Sequence, residues 1–292
     1  MSIESEPVPW LTKDFDGKDS VPVFEIRPPR GWLTLNLREL WEYRDLLYIL
    51  AWRDVKVRYK QTAIGAAWAV IQPFISMVVF SLFFGLLIKV PSDGIPYPVF
   101  AYVALLPWQF FAKALTEGST SLVVNERVIS KVYFPHLLVP TGVVLAGLLD
   151  FGIAFIILLV MMLVYGIMPT LAILTIPLFL LLAVFTALGV SFWLSALDVN
   201  YRDVRYTLPF LTQIWMFATP VVYPSSIIPE GWRTLYGLNP MVGVIEGFRW
   251  ALLNAPFPNL SMLIVSIMVV ITLFVGGIIY FDRMESTLAD VI

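Results

Sequence analysis

The chain has 292 residues, 59% of them hydrophobic and 14% charged, with a mean hydropathy of +0.83 and a formal net charge of −2. Soluble domains average about 45–50% apolar and about 25% charged residues, so this composition excludes an ordinary soluble enzyme and points to an integral membrane protein. Without cysteine there are no disulfides or thiolate metal sites, and the single histidine, His136, leaves no basis for a histidine-rich metal site or a Ser-His-Asp triad.

Residues 1–32 carry Glu4, Glu6, Asp14, Asp16, Asp19 and Glu25 and no apolar core. They match neither a secretory signal nor a transit peptide and read as a flexible, acidic cytoplasmic tail. Over 33–60 the pattern turns amphipathic. Asn36 followed by Glu39 resembles a capping-box start, and Leu37, Leu40, Trp41, Leu47 and Leu50 recur at helical spacing. Arg38, Glu39, Glu42 and Asp45 turn away from that face. Such a helix, just ahead of a span, suits the membrane interface; a solvated helix packed on protein is the alternative.

Ile64–Ile88 holds no charged residue and exceeds the roughly 20 apolar residues that cross a bilayer as a helix. Six spans are predicted in all, at about 64–88, 98–124, 137–168, 171–197, 206–222 and 260–281. Gln72-Pro73 is expected to break the first, and Pro107 lies inside the second. With both termini cytoplasmic, inner segments hold fifteen of the nineteen Lys and Arg residues, while outer segments hold only Lys89, Arg233 and Arg249. That asymmetry sets the orientation. Residues 223–259 are too long and too apolar for a simple outer loop. Two helical pieces, Trp232–Leu238 and Pro240–Leu253, flank Asn239-Pro240, and neither is long enough to cross. Re-entrant helices and a cap lying flat on the membrane both fit.

No nucleotide-binding loop of the G-x-x-x-x-G-K-[ST] form occurs, since Gly17-Lys18 is followed by Asp19 and lacks the earlier glycine. Asp150, in "GLLDFGI", is the one acidic residue deep in an apolar stretch. A lone carboxylate makes a poor proton relay, so a hydrogen bond to a neighbouring helix is expected. Lys113 and Glu117 are spaced to pair on one helical face, and both are expected to snorkel to the interface. Glu246 and Arg249, in "EGFRW", must satisfy each other or face water, either as a structural clip or as part of an outer gate. Trp68, Phe74, Phe80, Phe84, Trp215 and Phe217 fall within spans. Aromatic faces stack on the C–H faces of sugars, so these six are candidates for lining a glycan passage, with lipid-facing filler as the alternative for each.

Four stretches carry a resemblance: "WRDVKVRYKQTAIGAAWAVIQP", "SLVVNERVISKVYFP", "LSALDVNYRDVRYTLPF" and "YPSSIIPEGWRTLYGLNPMVGVIEGFRW". In this order they resemble the permease subunits of bacterial ABC-2 polysaccharide exporters, the O-antigen group above all, with capsule and teichoic-acid permeases as relatives. The likeness covers Leu35 to Ile292. It implies an all-α homodimeric permease of the inner membrane with six spans per subunit, both termini cytoplasmic, and re-entrant helices between spans five and six. It implies a separate ABC ATPase subunit on each copy, which binds the ATP and Mg, so that this chain has no catalytic residue and no cofactor. Lipid-linked polysaccharide and membrane lipid are the other implied partners; nucleic acid is not.

The resemblance also assigns roles. A gate helix holding Leu37, Leu40, Trp41 and Leu47 precedes span one, and Glu246 and Arg249 fall in the outer gate. The coupling helix falls at Asn125–Phe134, and a second ATPase contact at Tyr201, Arg202 and Asp203. On this view Glu126, Arg127 and Lys131 present charge to the ATPase, while Val128, Ile129, Val132, Tyr133 and Phe134 fill an apolar groove and Pro135 ends the helix. A loop resting on lipid headgroups is the alternative. His136 stands where relatives often carry arginine, and Leu288 where phenylalanine is common. Other classes are a drug or lipid exporter of the same architecture, a secondary transporter or channel, which the lone Asp150 argues against, and a membrane transferase, for which no carboxylate or histidine cluster is visible.

Overall fold

The computed structural model describes residues 41–60, 67–132 and 134–291, with side chains as far as Glu285. The tail at 1–32, Leu37, Leu40 and Tyr133 lie outside the described residues. Every regular element among the described residues is a helix.

Helix α1 is Arg44–Lys60. Span α2, Trp68–Phe80, continues as a π-helical segment over Ser81–Leu87. Then come α3 (Tyr97–Val124), α4 (Glu126–Ile129) and α5 (Leu138–Val164). A 3-10 turn at Leu171–Thr175 leads into α6, Ile176–Asn200. Helices α7 (Asp203–Phe217), α8 (Glu230–Tyr236), α9 (Pro240–Leu253) and α10 (Leu260–Val291) complete the order.

Among the described residues five stretches are long and apolar enough to cross a bilayer: 68–87, 97–124, 138–164, 171–200 and 260–285. The sixth predicted span, 206–222, corresponds to α7, which has 15 residues. At about 1.5 Å per residue α7 covers about 22 Å, short of the roughly 30 Å hydrocarbon core. Its helical length alone does not carry it across. The predicted break at Gln72-Pro73 is also absent, because α2 stays helical through Pro73. The irregularity comes instead at Ser81, whose Oγ donates to the Met77 carbonyl at 2.7 Å where the helix widens.

Helix α3 is the centre of the bundle: 78% of its most apolar stretch is buried, against 11% for α2. Helices α5, α6 and α9 pack on it. Lipid tails are as apolar as leucine, so helices in a membrane associate through close packing, which small residues permit. Helices α6 and α10 meet in this way, since a Cβ on Gly277 would stand 2.5 Å from the Gly189 carbonyl oxygen. No side chain fits there.

Helix α9 is buried on every face, with Met241, Val242, Val244, Ile245, Phe248 and Leu252 all shielded. Asn239 starts it by accepting the Met241 N–H at 3.2 Å, and Pro240 takes the first helical position, where no N–H is needed. Asn254 ends it in the left-handed region, with φ 56°. A cap lying flat on the membrane would expose one face, and α9 exposes none. The shorter α8 does present Trp232 and Leu235 outward.

Candidate functional site

The cytoplasm-side segments of the sequence reading emerge together. Ser191 of α6 donates to the Ala114 carbonyl of α3 at 3.3 Å. From there α3 runs ten residues to Val124 and α6 nine to Asn200, parallel because α5 returns the chain between them. The loop after α3 and the turn after α6 therefore share one end of the bundle. Glu126, Arg127, Val128, Lys131 and Val132 are exposed there, as are Tyr201, Arg202 and Asp203.

Two residues expected on that contact face are not on it. Phe134 is 2% exposed, packed into the chain's own core and edge-on to His136. Asn125 is also buried: its amide donates to the Ser121 carbonyl at 2.8 Å, and its Oδ1 accepts from Arg53 of α1 at 2.8 Å. Both shape the loop from inside. His136 anchors the same loop, since its backbone N–H donates to Glu285 of α10 at 3.2 Å and its Nδ1 lies 2.8 Å from the same carboxylate. In the second turn, Arg205 faces inward and grips the fully buried Asp198 with two bonds of 3.1 and 3.0 Å.

Deeper in the bundle lies a charged cavity of about 490 Å³ between α1, α2, α3 and α5. Asp150 of α5 is its centre. Lys113 of α3 stands 2.7 Å from Asp150 Oδ2, and Arg58 of α1 stands 2.5 Å from the same oxygen. The other arm of Arg58 reaches Glu117 of α3 at 2.6 Å, and the Tyr59 hydroxyl donates to Asp150 Oδ1. Burial, then the bond to Asp150, holds the Tyr59 phenol above its ordinary range, so it stays a donor. The bond expected from Asp150 to a neighbouring helix is present, with partners on two helices. Snorkelling of Lys113 is not: the ammonium turns inward because a buried carboxylate needs a counter-ion more than the ammonium needs the interface.

Arg58 and Tyr59 were not singled out in the sequence. The available signal was indirect: a carboxylate and an ammonium inside spans demand partners, and "VRYK" supplies the donors nearest to span one. Helix α1 brings them in by lying along α5. A Cβ on Gly142 would sit 3.3 Å from Leu50 Cβ, and eight residues farther along each helix Arg58 meets Asp150. This part of α1 follows the span instead of lying flat across its end. Leu47 and Leu50 face the core, while Tyr48, Ile49 and Trp52 are exposed; Trp41 is exposed too, beneath the Arg44 guanidinium.

The six aromatic candidates do not form one surface within a single chain. Trp68 borders the charged cavity. Phe80 and Phe84 stack edge-on with each other and pack on the Tyr97–Phe100 cluster. Trp215 is wedged against Trp108 and Phe111 and donates its indole N–H to Asn239 at 3.0 Å. Phe74 and Phe217 are exposed, on α2 and α7.

Arg249 is fully enclosed. It bonds Glu246 at 3.0 Å, the Tyr223 carbonyl at 3.2 Å and the Val221 carbonyl at 3.1 Å, with Phe100 3.8 Å beneath its guanidinium. Ser225 donates to the second oxygen of Glu246 at 2.8 Å. The pair thus clips α9 to the 221–225 turn and to α3.

The profile of the ABC-2 type transporter family matches residues 45–253. The chain belongs to that family. ABC-2 relatives resemble it over most of its length. The "O-antigen export system permease protein RfbA" of Myxococcus xanthus is 32% identical over 253 residues, covering 85% of this chain and 96% of that protein. A Klebsiella pneumoniae protein of the same name is 30% identical over 249 residues, covering 85% and 95%. The "Polysialic acid transport protein KpsM" of Escherichia coli is 22% identical over 242 residues, covering 82% and 93%. As an ABC-2 protein with five bilayer-length helices among its described residues, this is a multi-pass membrane subunit of a transporter.

Proposed function

We propose that this ABC-2 permease moves lipid-linked polysaccharide, of the O-antigen class, from the cytoplasm across the bacterial inner membrane. It works as a homodimer with an ABC ATPase on each copy. The observation that carries this reading is the 32% identity to an O-antigen export permease across 96% of that protein's length. Hydrolysis belongs to the partner, which holds ATP and Mg; this chain contributes the conduit and takes no part in the chemistry.

The exposed face formed by Glu126, Arg127, Lys131, Tyr201, Arg202 and Asp203 supports an ATPase contact, because it combines both signs of charge with exposed Val128 and Val132. Both termini are cytoplasmic on this reading: Glu285, near the end of α10, sits against the loop that receives the ATPase. In the dimer a second copy covers the exposed apolar faces of α2 and α7, including Phe74 and Phe217, and α7 with the 218–222 turn completes a sixth crossing. A capsule polymer is the second reading, favoured by the likeness to a polysialic acid transport protein at lower identity.

The test is genetic. Deleting the gene in its host is expected to abolish surface polysaccharide and to trap lipid-linked polymer inside the inner membrane, with this chain restoring export. Normal surface polymer after deletion contradicts the assignment.

A further inference from the structure

Asp150 has two cationic partners, and they stand on elements held in different ways. Lys113 is on α3, the most buried span, whereas Arg58 is on α1, which packs on α5 and leaves Tyr48, Ile49 and Trp52 exposed on its other side. With α1 in place, Arg58 and Lys113 balance Asp150 and Glu117. If α1 moves off, Lys113 is left facing two carboxylates, 2.7 Å from Asp150 and 3.9 Å from Glu117, and the less closely matched charge is that of Glu117. The Glu117 side chain is 40% exposed and that of Asp150 12%, so the unmatched charge falls on the wetter of the two. Water screens it there, in a cavity roomy enough to hold several molecules.

A plain structural ion pair does not have this asymmetry. We propose that Arg58 is a positioning residue that latches α1 against α3 and α5, and that Lys113 is the resident counter-ion that keeps Asp150 satisfied when the latch opens. The Arg53–Asn125 bond ties the same helix to the loop after α3, so a displacement of that loop is passed directly to α1. Arg58 and Tyr59 line the cavity, which makes α1 its movable wall. The transport consequence rests on the exporter reading; the motion itself does not.

The chain contains no cysteine, so introduced thiols report alone. Leu50→Cys with Gly142→Cys places two Cβ atoms 3.3 Å apart, next to the about 3.5–4.5 Å that disulfides prefer. The measurement is the rate of oxidant-driven disulfide formation in the full permease–ATPase complex in membranes. Arg58→Gln is expected to slow it by about fivefold or more, the usual scale of a coupling between two states. Arg58→Lys keeps the charge but not the fork that spans Asp150 and Glu117, so its rate should fall between those of Arg58→Gln and the parent. Lys113→Gln should lower the yield of folded protein but leave the rate in the folded fraction near that of the parent. An unchanged rate in Arg58→Gln overturns the latch, as does an equal slowing in Lys113→Gln. Should Arg58→Gln fail to insert, Arg58→Lys is compared with Lys113→Arg, and slowing is expected in the first only; equal rates overturn the proposal. The oxidised pair should also block polymer export until reductant is added, and export through the crosslinked protein overturns the latch. A parent complex that shows this crosslinking pattern but exports no polymer supports the latch and contradicts the exporter reading.

Discussion

At the scale of single residues, the informative groups are the charges that the bundle encloses. Arg249 is 2% exposed and meets a carboxylate, two carbonyls and an aromatic face. Removing it takes the cation from Glu246, whose side chain is 13% exposed, and leaves it the Ser225 hydroxyl. Breaking a buried pair from one side costs about 3–5 kcal/mol, so Arg249→Ala is expected to lower the thermal unfolding midpoint in detergent sharply. Adding Glu246→Ala should recover part of the loss, because the stranded charge goes with it. Equal midpoints for parent and Arg249→Ala would mean that the clip contributes nothing. The spacing of Glu246 and Arg249 in the sequence shows that they can meet. It does not show the carbonyls of Val221 and Tyr223, which reach Arg249 only because the chain turns back after α7.

At the scale of elements, the loop after α3 divides into an outward and an inward set, and the two make opposite predictions. Arg127 and Lys131 are exposed, so Arg127→Glu with Lys131→Glu should lose most co-purifying ATPase while leaving the unfolding midpoint in place. Phe134 is enclosed, and Phe134→Ala should cost about 3–5 kcal/mol of stability as a truncated core aromatic. Lost ATPase with unchanged stability in Phe134→Ala would instead place that ring on the partner's surface. The sequence pattern "NERVISKVYFP" conveys apolar and charged alternation, and that alternation does not say whether a ring fills a partner's groove or the chain's own. Helices were more legible where length and punctuation decide them. Tyr97–Val124 and Pro240–Leu253 begin and end within a residue of their predicted limits, because apolar runs bounded by Pro, Asn and charge leave little freedom. The π-helical end of α2 was not legible, since it starts at Ser81, about two turns past Pro73, where the Ser81 hydroxyl bonds the Met77 carbonyl.

At the scale of the molecule, composition and apolar runs establish an all-helical membrane protein before any contact is known. The charged cavity belongs to a different order of information. Arg58, Lys113, Glu117 and Asp150 come from three segments up to 92 residues apart, and only the packing of α1 and α3 on α5 brings them together. The functional claim at this scale is that the chain is a conduit driven by a partner, with its contact face at one end and its outer helices at the other. It is tested most directly by reconstituting the purified permease in liposomes with lipid-linked polysaccharide outside and following polymer uptake into the lumen. Uptake is predicted only when an ABC ATPase is docked on the outer, cytoplasm-equivalent face and ATP is supplied. Uptake by the permease alone, or with the ATPase but no ATP, would contradict the account.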